Sequence, residues 1–307
     1  MEIQIVSGFL GAGKTTFLNQ YLSILKGKTV VIENEFGDVG LDGSLIQGDI
    51  PVREIYAGCI CCSLAMDFQK GIKEIYETFK PDRTVIEPSG VGRLSDIIKA
   101  CNRAKEKENI DIQVTKLVAI VDFDSFEEYE EGFGAFYMNQ IQHARLLLFS
   151  NTALVSKERK RMIISRLQAE NPKAILYEGD FRQLDPEILK KLVDMSEDYA
   201  SNPEEVFLPA LPANRVFSSV SICNSMKMSE SELNVLLKEL KKEKYGYILR
   251  AKGIIKTWEH RMLHFNYTPS SSSYHEVNML SEINSETKII IIGCELNDRE
   301  LHTLFQN

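Results

Sequence analysis

Through the first two hundred residues, short unbroken apolar runs alternate with segments of helical spacing. The runs Ile3–Val6, Thr29–Glu33, Thr84–Glu87, Lys116–Asp122, Leu146–Ser150 and Ala174–Tyr177 are short and apolar, and read as buried strands. Between them, Thr15–Leu25, Ala65–Phe79, Leu94–Glu106, Ser125–Tyr129, Glu158–Glu170 and Pro186–Met195 read as helices. Pro81-Asp82 and Asn171-Pro172 end two of these, because a proline drives the residue before it out of the helical region. Such strands joined by helical crossovers predict an α/β fold, a mostly parallel sheet with helices on both faces.

The pattern changes at Asn202-Pro203 to Pro212, a proline-marked linker that divides the chain into domains 1–204 and 205–307. In the second domain Arg215–Ile222 reads as a strand, and Ser229-Glu230-Ser231-Glu232 is a capping box opening a helix to about Lys244. Strands at Tyr247–Trp258 and His260–Tyr267, a serine-rich loop at Ser270–Ser273, a strand at Lys288–Gly293 and a final helix complete a smaller α+β unit. The chain contains no internal repeat and no low-complexity tract.

Composition narrows the function classes. A chain of 307 residues accommodates two domains. A net charge of −8 with a pI near 5.4 argues against a dedicated nucleic-acid binder, which needs a basic face. No apolar run approaches the roughly 18–20 residues that span a bilayer. The first strand starts almost at Met1, so no signal peptide is expected and the predicted location is cytoplasmic. Of six cysteines, Cys101, Cys223 and Cys294 are scattered, as expected of reduced thiols and not of a disulfide framework.

The first strand runs directly into Gly8-Phe9-Leu10-Gly11-Ala12-Gly13-Lys14-Thr15-Thr16, a complete G-x-x-x-x-G-K-T phosphate loop. Its glycines allow the backbone N–H groups to turn inward on phosphate oxygens, and the following helix adds the positive end of its dipole. Lys14 reaches the β/γ-phosphates in this reading, and the Thr15 hydroxyl ligates Mg²⁺. A chance match in a glycine-rich turn is the bland alternative, and the strand–loop–helix order opposes it.

Gly58-Cys59-Ile60-Cys61-Cys62-Ser63 packs three thiols into four residues. Adjacent cysteines pair poorly with each other, whereas three thiolates bind Zn²⁺ and leave a position for a fourth ligand. Small buried hydrophobes are the competing reading. Thr84–Gly90 puts Glu87 at the end of an apolar strand, where it faces Mg²⁺ or its water, and Gly90 where its backbone senses the γ-phosphate. Glu33-Asn34-Glu35-Phe36-Gly37-Asp38 carries three carboxylates in six residues and reads as a functional loop or a solvated acidic one. Asp122, ending another strand, caps a helix or lines the site.

The ordered set of phosphate loop, Glu33–Gly37, Gly58–Cys62 and Glu87-Pro88-Ser89-Gly90 resembles the CobW-type GTPases, which include cobalamin-synthesis proteins and zinc metallochaperones. Leu249-Arg250-Ala251-Lys252-Gly253, Trp258, Ile289–Gly293 and Asp298 are similar to that family's C-terminal domain. The resemblance covers nearly the whole chain. It implies a GTPase that carries zinc or cobalt and delivers it to a client metalloprotein under nucleotide control, with no nucleic-acid or membrane partner, as a monomer or homodimer. Zn²⁺ would sit on Cys59, Cys61 and Cys62, or on a subset with Glu33 or Asp38. Either Glu35 or Asp38 would orient the attacking water.

The chain departs from the family in two places. The strand Leu146–Phe149 should lead into Asn-Lys-x-Asp, whose Asp reads guanine, but Ser150-Asn151-Thr152-Ala153 stands there. Ser156-Lys157-Glu158-Arg159 also lacks the Asp and lies where the next helix starts. The base is therefore guanine or adenine. There is also no His-rich tract: His260 and His264, four apart, read as surface residues sharing one strand face, which favours a single-site carrier over metal storage. Two other functions compete, a nucleotide-gated regulator with redox-sensing cysteines and a binding module without turnover.

Overall fold

A computed structural model of the chain describes residues 1–35, 51–56, 65–196, 199, 217–269, 272–276 and 287–306; for 34–35, 52–56 and 65–67 it describes the backbone. These residues form two compact units, one up to Tyr199 and one from Phe217 onward. The expected boundary at 204/205 lies outside the described residues.

The first unit runs β1 (Glu2–Gly8), α1 (Lys14–Leu22), β2 (Thr29–Glu35), β3 (Val52–Tyr56), α2 (Ala65–Glu74), β4 (Arg83–Glu87), α3 (Leu94–Glu108), β5 (Gln113–Asp122), α4 (Phe126–His143), β6 (Leu146–Ser150), α5 (Lys157–Glu170), β7 (Ile175–Asp180) and α6 (Pro186–Met195). Its seven strands lie in the order β3-β2-β4-β1-β5-β6-β7, and every described pairing is parallel. Continuous burial explains this: β6 is buried at every position, and β4 and β5 nearly so. The chain turns one way from β1 to β2 and the other way from β4 through β7. Right-handed crossovers then place α1 on one face and α2 to α5 on the other. On the first face α1 and α6 pack over Val6, Val31, Val85, Val118, Leu146 and Leu148.

Three elements differ from the sequence expectation. β3 is absent from the strands that the pattern predicts, because Arg53 and Glu54 interrupt its apolar run. It is the edge strand, bonded on one side to β2, and an edge tolerates charge. The helix expected to stop at Tyr129 continues to His143 through a non-helical Gly134 (φ 35°, ψ −108°). It persists because Tyr129, Phe133 and Tyr137 surround Phe9 of the phosphate loop, with ring centroids 4.6, 5.0 and 5.6 Å away. The helix expected over 65–79 leaves α-helical hydrogen bonding at Ile75, where a π-turn carries it to Phe79. Among the described residues no helix is long and apolar enough to cross a membrane.

The second unit comprises β8 (Ser218–Cys223), α7 (Glu230–Glu239), β9 (Tyr247–Lys256), β10 (Met262–Tyr267), β11 (Ser272–Glu276), β12 (Lys288–Cys294) and α8 (Asp298–Gln306). Its antiparallel sheet, ordered β11-β10-β9-β12-β8, packs one apolar face on Leu233, Leu236 and Leu237 of α7 and on Leu301 and Phe305 of α8. The capping box forms as expected: Glu232 N donates to Ser229 Oγ at 3.2 Å, and Ser229 N donates back to Glu232 Oε2 at 2.6 Å. α7 ends at Glu239, short of the expected Lys244. The serine-rich segment, expected as loop, gives the edge strand Ser272–Glu276, whose backbone pairs with β10 whatever its side chains. His260 and His264 do not share a strand face. His260 occupies a turn at φ 65° before β10 begins, and His264 is buried, with its ring 5.1 Å from that of His275 on β11.

Phe9→Ala removes the centre of an aromatic cluster and should cost about 3–5 kcal/mol of stability in the first unit. Denaturant unfolding followed by circular dichroism checks this, with Phe9→Leu expected to lie between wild type and alanine.

Candidate functional site

The loop between β1 and α1 opens at the C-terminal edge of the sheet, beside the point where the connections change direction. In open α/β folds that crevice binds ligands. Gly13 has φ 104° and ψ 24°, a conformation that strains any side-chain-bearing residue, and it turns the chain into α1. The first turn of that helix then presents Lys14 buried, Thr15 half-buried and Thr16 exposed. Gly11 is exposed and Ala12 buried, with Ala12 N donating to Phe9 O at 3.2 Å. Lys14 Nζ donates to Gly8 O at 3.1 Å and Phe9 O at 3.4 Å, and lies 3.9 Å from Glu87 Oε1. The lysine thus rests on the carbonyls of its own loop.

Glu33, two residues before the end of β2, stands opposite Glu87 at the end of β4, and both are buried, at 2% and 8% exposure. Two carboxylates withdrawn from water side by side need positive charge nearby, and the Lys14 ammonium supplies some of it. Beyond Glu87, Gly90 approaches the phosphate loop so closely that a Cβ there would lie 2.8 Å from Leu10 N. Gln140, from the last turn of α4, holds this turn by donating Nε2 to Gly90 O at 3.0 Å and Gly92 O at 2.8 Å. The sequence reading missed that role. Its signal was a polar side chain amid the buried Tyr137, Met138 and Ile141 of one helix. Ser89 Oγ, in the same turn, is buried with no hydrogen-bond partner among the described residues.

On the other side of the phosphate loop, the ends of β5, β6 and β7 converge. Ser150 is buried and its carbonyl accepts from Phe123 N at 3.1 Å. Asn151, left-handed at φ 57°, donates Nδ2 to Asp122 Oδ2 at 2.9 Å and its backbone N to Asp180 Oδ2 at 3.0 Å. Asp122 also accepts from Asp124 N at 3.0 Å, just ahead of α4, so it braces both that turn and Asn151. Burial pushes its carboxyl up, and these hydrogen bonds oppose the shift. Ala153 is exposed in a short turn over Thr152–Leu154. Ser156 caps α5 by accepting from Arg159 N at 3.2 Å, so the helix does start there.

Phe181 carries this cluster to the phosphate loop: a Cβ on Gly13 would meet its ring at 3.4 Å, and it stacks edge-on to Phe17 at 6.1 Å. Its neighbour Arg182, which nothing in the local sequence pattern marks, grips Asp180 through Nε at 2.9 Å and Nη2 at 2.5 Å. Burial alone would raise the Asp180 carboxyl, but the Arg182 bonds outweigh it and hold the group below its ordinary range. Of the remaining expected residues, Glu35 ends β2, and only its backbone is described. Asp38, Cys59, Cys61 and Cys62 lie outside the described residues.

A phosphate loop at the carboxyl edge of a parallel sheet, with acids ending the adjacent strands, defines a P-loop nucleotide-binding protein. The family described as "CobW/HypB/UreG, nucleotide-binding domain" matches residues 2–178, and "Cobalamin synthesis protein cobW C-terminal domain" matches residues 217–307. The chain belongs to the CobW/HypB/UreG family. It is 26% identical over 325 residues to the zinc chaperone YjiA of Escherichia coli (strain K12), covering 99% of this chain and 98% of that one. It is 36% identical over 114 residues to the zinc chaperone YeiR of the same organism, covering 36% of this chain. The match spans only about a third (35%) of YeiR's length. Among solved structures, Zn(II)-bound YjiA GTPase from E. coli aligns over 99% of this chain and 97% of that one, at 21% identity and a TM-score of 0.44.

Gly90→Ala should weaken nucleotide binding at least tenfold, because its Cβ would press on loop backbone. Titration with a fluorescent triphosphate analogue measures this. Asp180 makes a separate, pH-dependent contribution. Its folded pKa is depressed, so its stabilisation is present above the unfolded value near 3.9 and is lost as pH falls through the folded one. The stability difference between wild type and Asp180→Asn should therefore stay constant from about pH 5 to 8 and shrink below about pH 4, as followed by denaturant unfolding across that range.

Proposed function

We propose that the chain is a nucleoside triphosphatase, with GTP as the physiological nucleotide, that binds Zn²⁺ and passes it to a client metalloprotein when the nucleotide is hydrolysed. The observation that carries this reading is Glu33 held in register with Glu87 beside Lys14. One acid belongs to the strand that leads on to Glu35 and Asp38, and its neighbour β3 leads on to the cysteines. The other belongs to the strand end that faces the phosphates. A change of charge at the γ-phosphate therefore acts on both loops at once.

The residues present fit Mg²⁺. The Thr15 hydroxyl and Glu87 carboxylate are hard oxygen donors, and the two buried acids gain from added positive charge. When bound, Mg²⁺ neutralises charge on the β- and γ-phosphate oxygens. The chain's own groups do the rest. Lys14 leaves the carbonyls of Gly8 and Phe9 for phosphate oxygens, Ser89 Oγ has a hydrogen bond to give, and Glu35 or Asp38 orients the attacking water. The nucleotide lies along Gly8, Gly11, Ala12, Gly13, Lys14, Thr15 and Thr16, with Gly90 at the γ-phosphate and Ser150 and Asn151 toward the base.

Zinc is the cargo, held by Cys59, Cys61 and Cys62 or by a subset with Glu33 or Asp38. Thiolates favour it over harder ions, and Co²⁺ accepts the same donors. The relatives named zinc chaperones and the "Zinc-regulated GTPase metalloprotein activator 1" of Schizosaccharomyces pombe, 29% identical over 198 residues, support the same cargo and a client to receive it.

Lys14→Ala should abolish triphosphate binding in isothermal titration, and near-normal affinity would remove the site assignment. Cys61→Ala should lose bound zinc and the zinc response of phosphate release while still binding nucleotide. Cys223→Ala, at an exposed thiol far along the chain, should change neither. Zinc binding should release protons and weaken below about pH 6–7, because the thiols must ionise. Purified protein that is metal-free yet readily oxidised would instead identify a redox switch.

A further inference from the structure

The loops on the base side of the phosphate loop lack the carboxylate expected at position 153, yet they are not chemically blank. Asp180 accepts four hydrogen bonds, from Asn151 N, Arg182 N, Arg182 Nε and Arg182 Nη2, at 3.0, 3.1, 2.9 and 2.5 Å. That fills the roughly four acceptor sites of a carboxylate. Asp122 is buried and already committed to Asn151 and Asp124 N. Neither acid is therefore open to accept the N1 and N2 protons of guanine.

These loops offer a donor instead. Arg182 Nη2 also donates to Asn151 Oδ1 at 2.8 Å, so Asp122, Asn151, Arg182 and Asp180 form one chain of hydrogen bonds across the ends of β5, β6 and β7. Nε and Nη2 are occupied in that chain, and Nη1 makes no hydrogen bond to any of the described residues. The side chain is 39% exposed. Its carbonyl accepts from Gln20 Nε2 at 3.3 Å, which ties it to the helix that begins at Lys14. A half-exposed guanidinium fixed at two of its nitrogens, with the third unbonded among the described residues, suits a purine edge rich in acceptors.

We infer that Arg182 reads the base, donating to the O6/N7 edge of guanine in place of the missing carboxylate. The inference rests on the nucleotide-site reading above. Guanine presents two acceptors on that edge, whereas adenine presents N7 beside an amino donor that opposes the guanidinium. The resulting preference for guanine is real but modest, about tenfold, because only one cation supplies it. The N2 amino group, which a carboxylate reader would need, plays no part.

Purine triphosphates that differ at single positions test this on the unmodified protein, where folding is not at issue. Titration should rank GTP and inosine triphosphate together, within about threefold, since both carry O6 and N7. ATP and 2-aminopurine riboside triphosphate, which lack O6, should bind about tenfold more weakly. Arg182→Ala should bring GTP to within about twofold of ATP, and Arg182→Lys should restore part of the difference. Inosine triphosphate at least tenfold weaker than GTP would show that the N2 amino group is read, as a carboxylate reader requires, and overturn the role of Arg182. So would an unchanged GTP/ATP ratio in Arg182→Ala. If the wild-type protein binds no purine triphosphate, the nucleotide-site reading itself falls, an outcome distinct from tight binding without base choice.

Discussion

The phosphate loop holds its shape because its aromatic side chain points inward. Phe9 is 1% exposed and ringed by Tyr129, Phe133 and Tyr137 of α4. Burying an aromatic ring of this size yields a few kcal/mol, more than a lone loop of backbone groups gains from hydrogen bonds to itself. The anchor lets the surrounding backbone keep a conformation open to phosphate oxygens. The same helix then reaches the other side of the site, where Gln140 fixes the carbonyls of Gly90 and Gly92. One element thus positions the phosphate loop and the turn that follows the Glu87 strand.

With those two loops fixed, charge becomes the controlling variable. Lys14, Glu33 and Glu87 are all buried, and the lysine is the near cation for Glu87. An incoming triphosphate competes for that lysine. The energy of the two acids therefore depends on what occupies the phosphate site, which is the physical form of coupling between two ligands. Because β2 carries Glu33 and then continues toward the acidic loop, the coupling needs no long path. It passes between neighbouring strand ends of one sheet.

At the opposite side the protein uses a different device. The ends of β5, β6 and β7 are joined by hydrogen bonds among Asp122, Asn151, Asp180 and Arg182, with the left-handed Asn151 at the centre. Every carboxylate there is engaged in holding the loops together. On the inference drawn for Arg182, recognition of the base falls to a cation, and with alanine at position 153 the O6/N7 edge is the one read.

Much of this was legible in the sequence because it depends on local patterning. Short unbroken apolar runs such as Leu146–Ser150, alternating with helical segments, read as strands buried on both faces, and the spacing of Gly8, Gly13 and Lys14 specifies a phosphate loop wherever a strand enters and a helix leaves. The ends of those strands also located Glu33, Glu87 and Asp122. Other features depended on contacts between distant segments. Arg53 and Glu54 hide β3 until β2 supplies its hydrogen bonds, and Gly132 and Gly134 conceal the length of α4 until Phe9 packs against it. His264 looked like a surface residue because its burial is decided by the strands around it. Gln140 carries no motif and acquires its role only when folding brings the carbonyls of Gly90 and Gly92 within about 3 Å; Arg182 meets Asp180 two residues away but reaches Asn151 only through the fold. Periodicity and backbone chemistry are written within a few residues, so the chain alone determined the sheet, the phosphate loop and the strand-end acids. Hydrogen-bond partners and ring packing join residues tens of positions apart, so only the tertiary structure decided how those acids are paired and which side chains hold the loops.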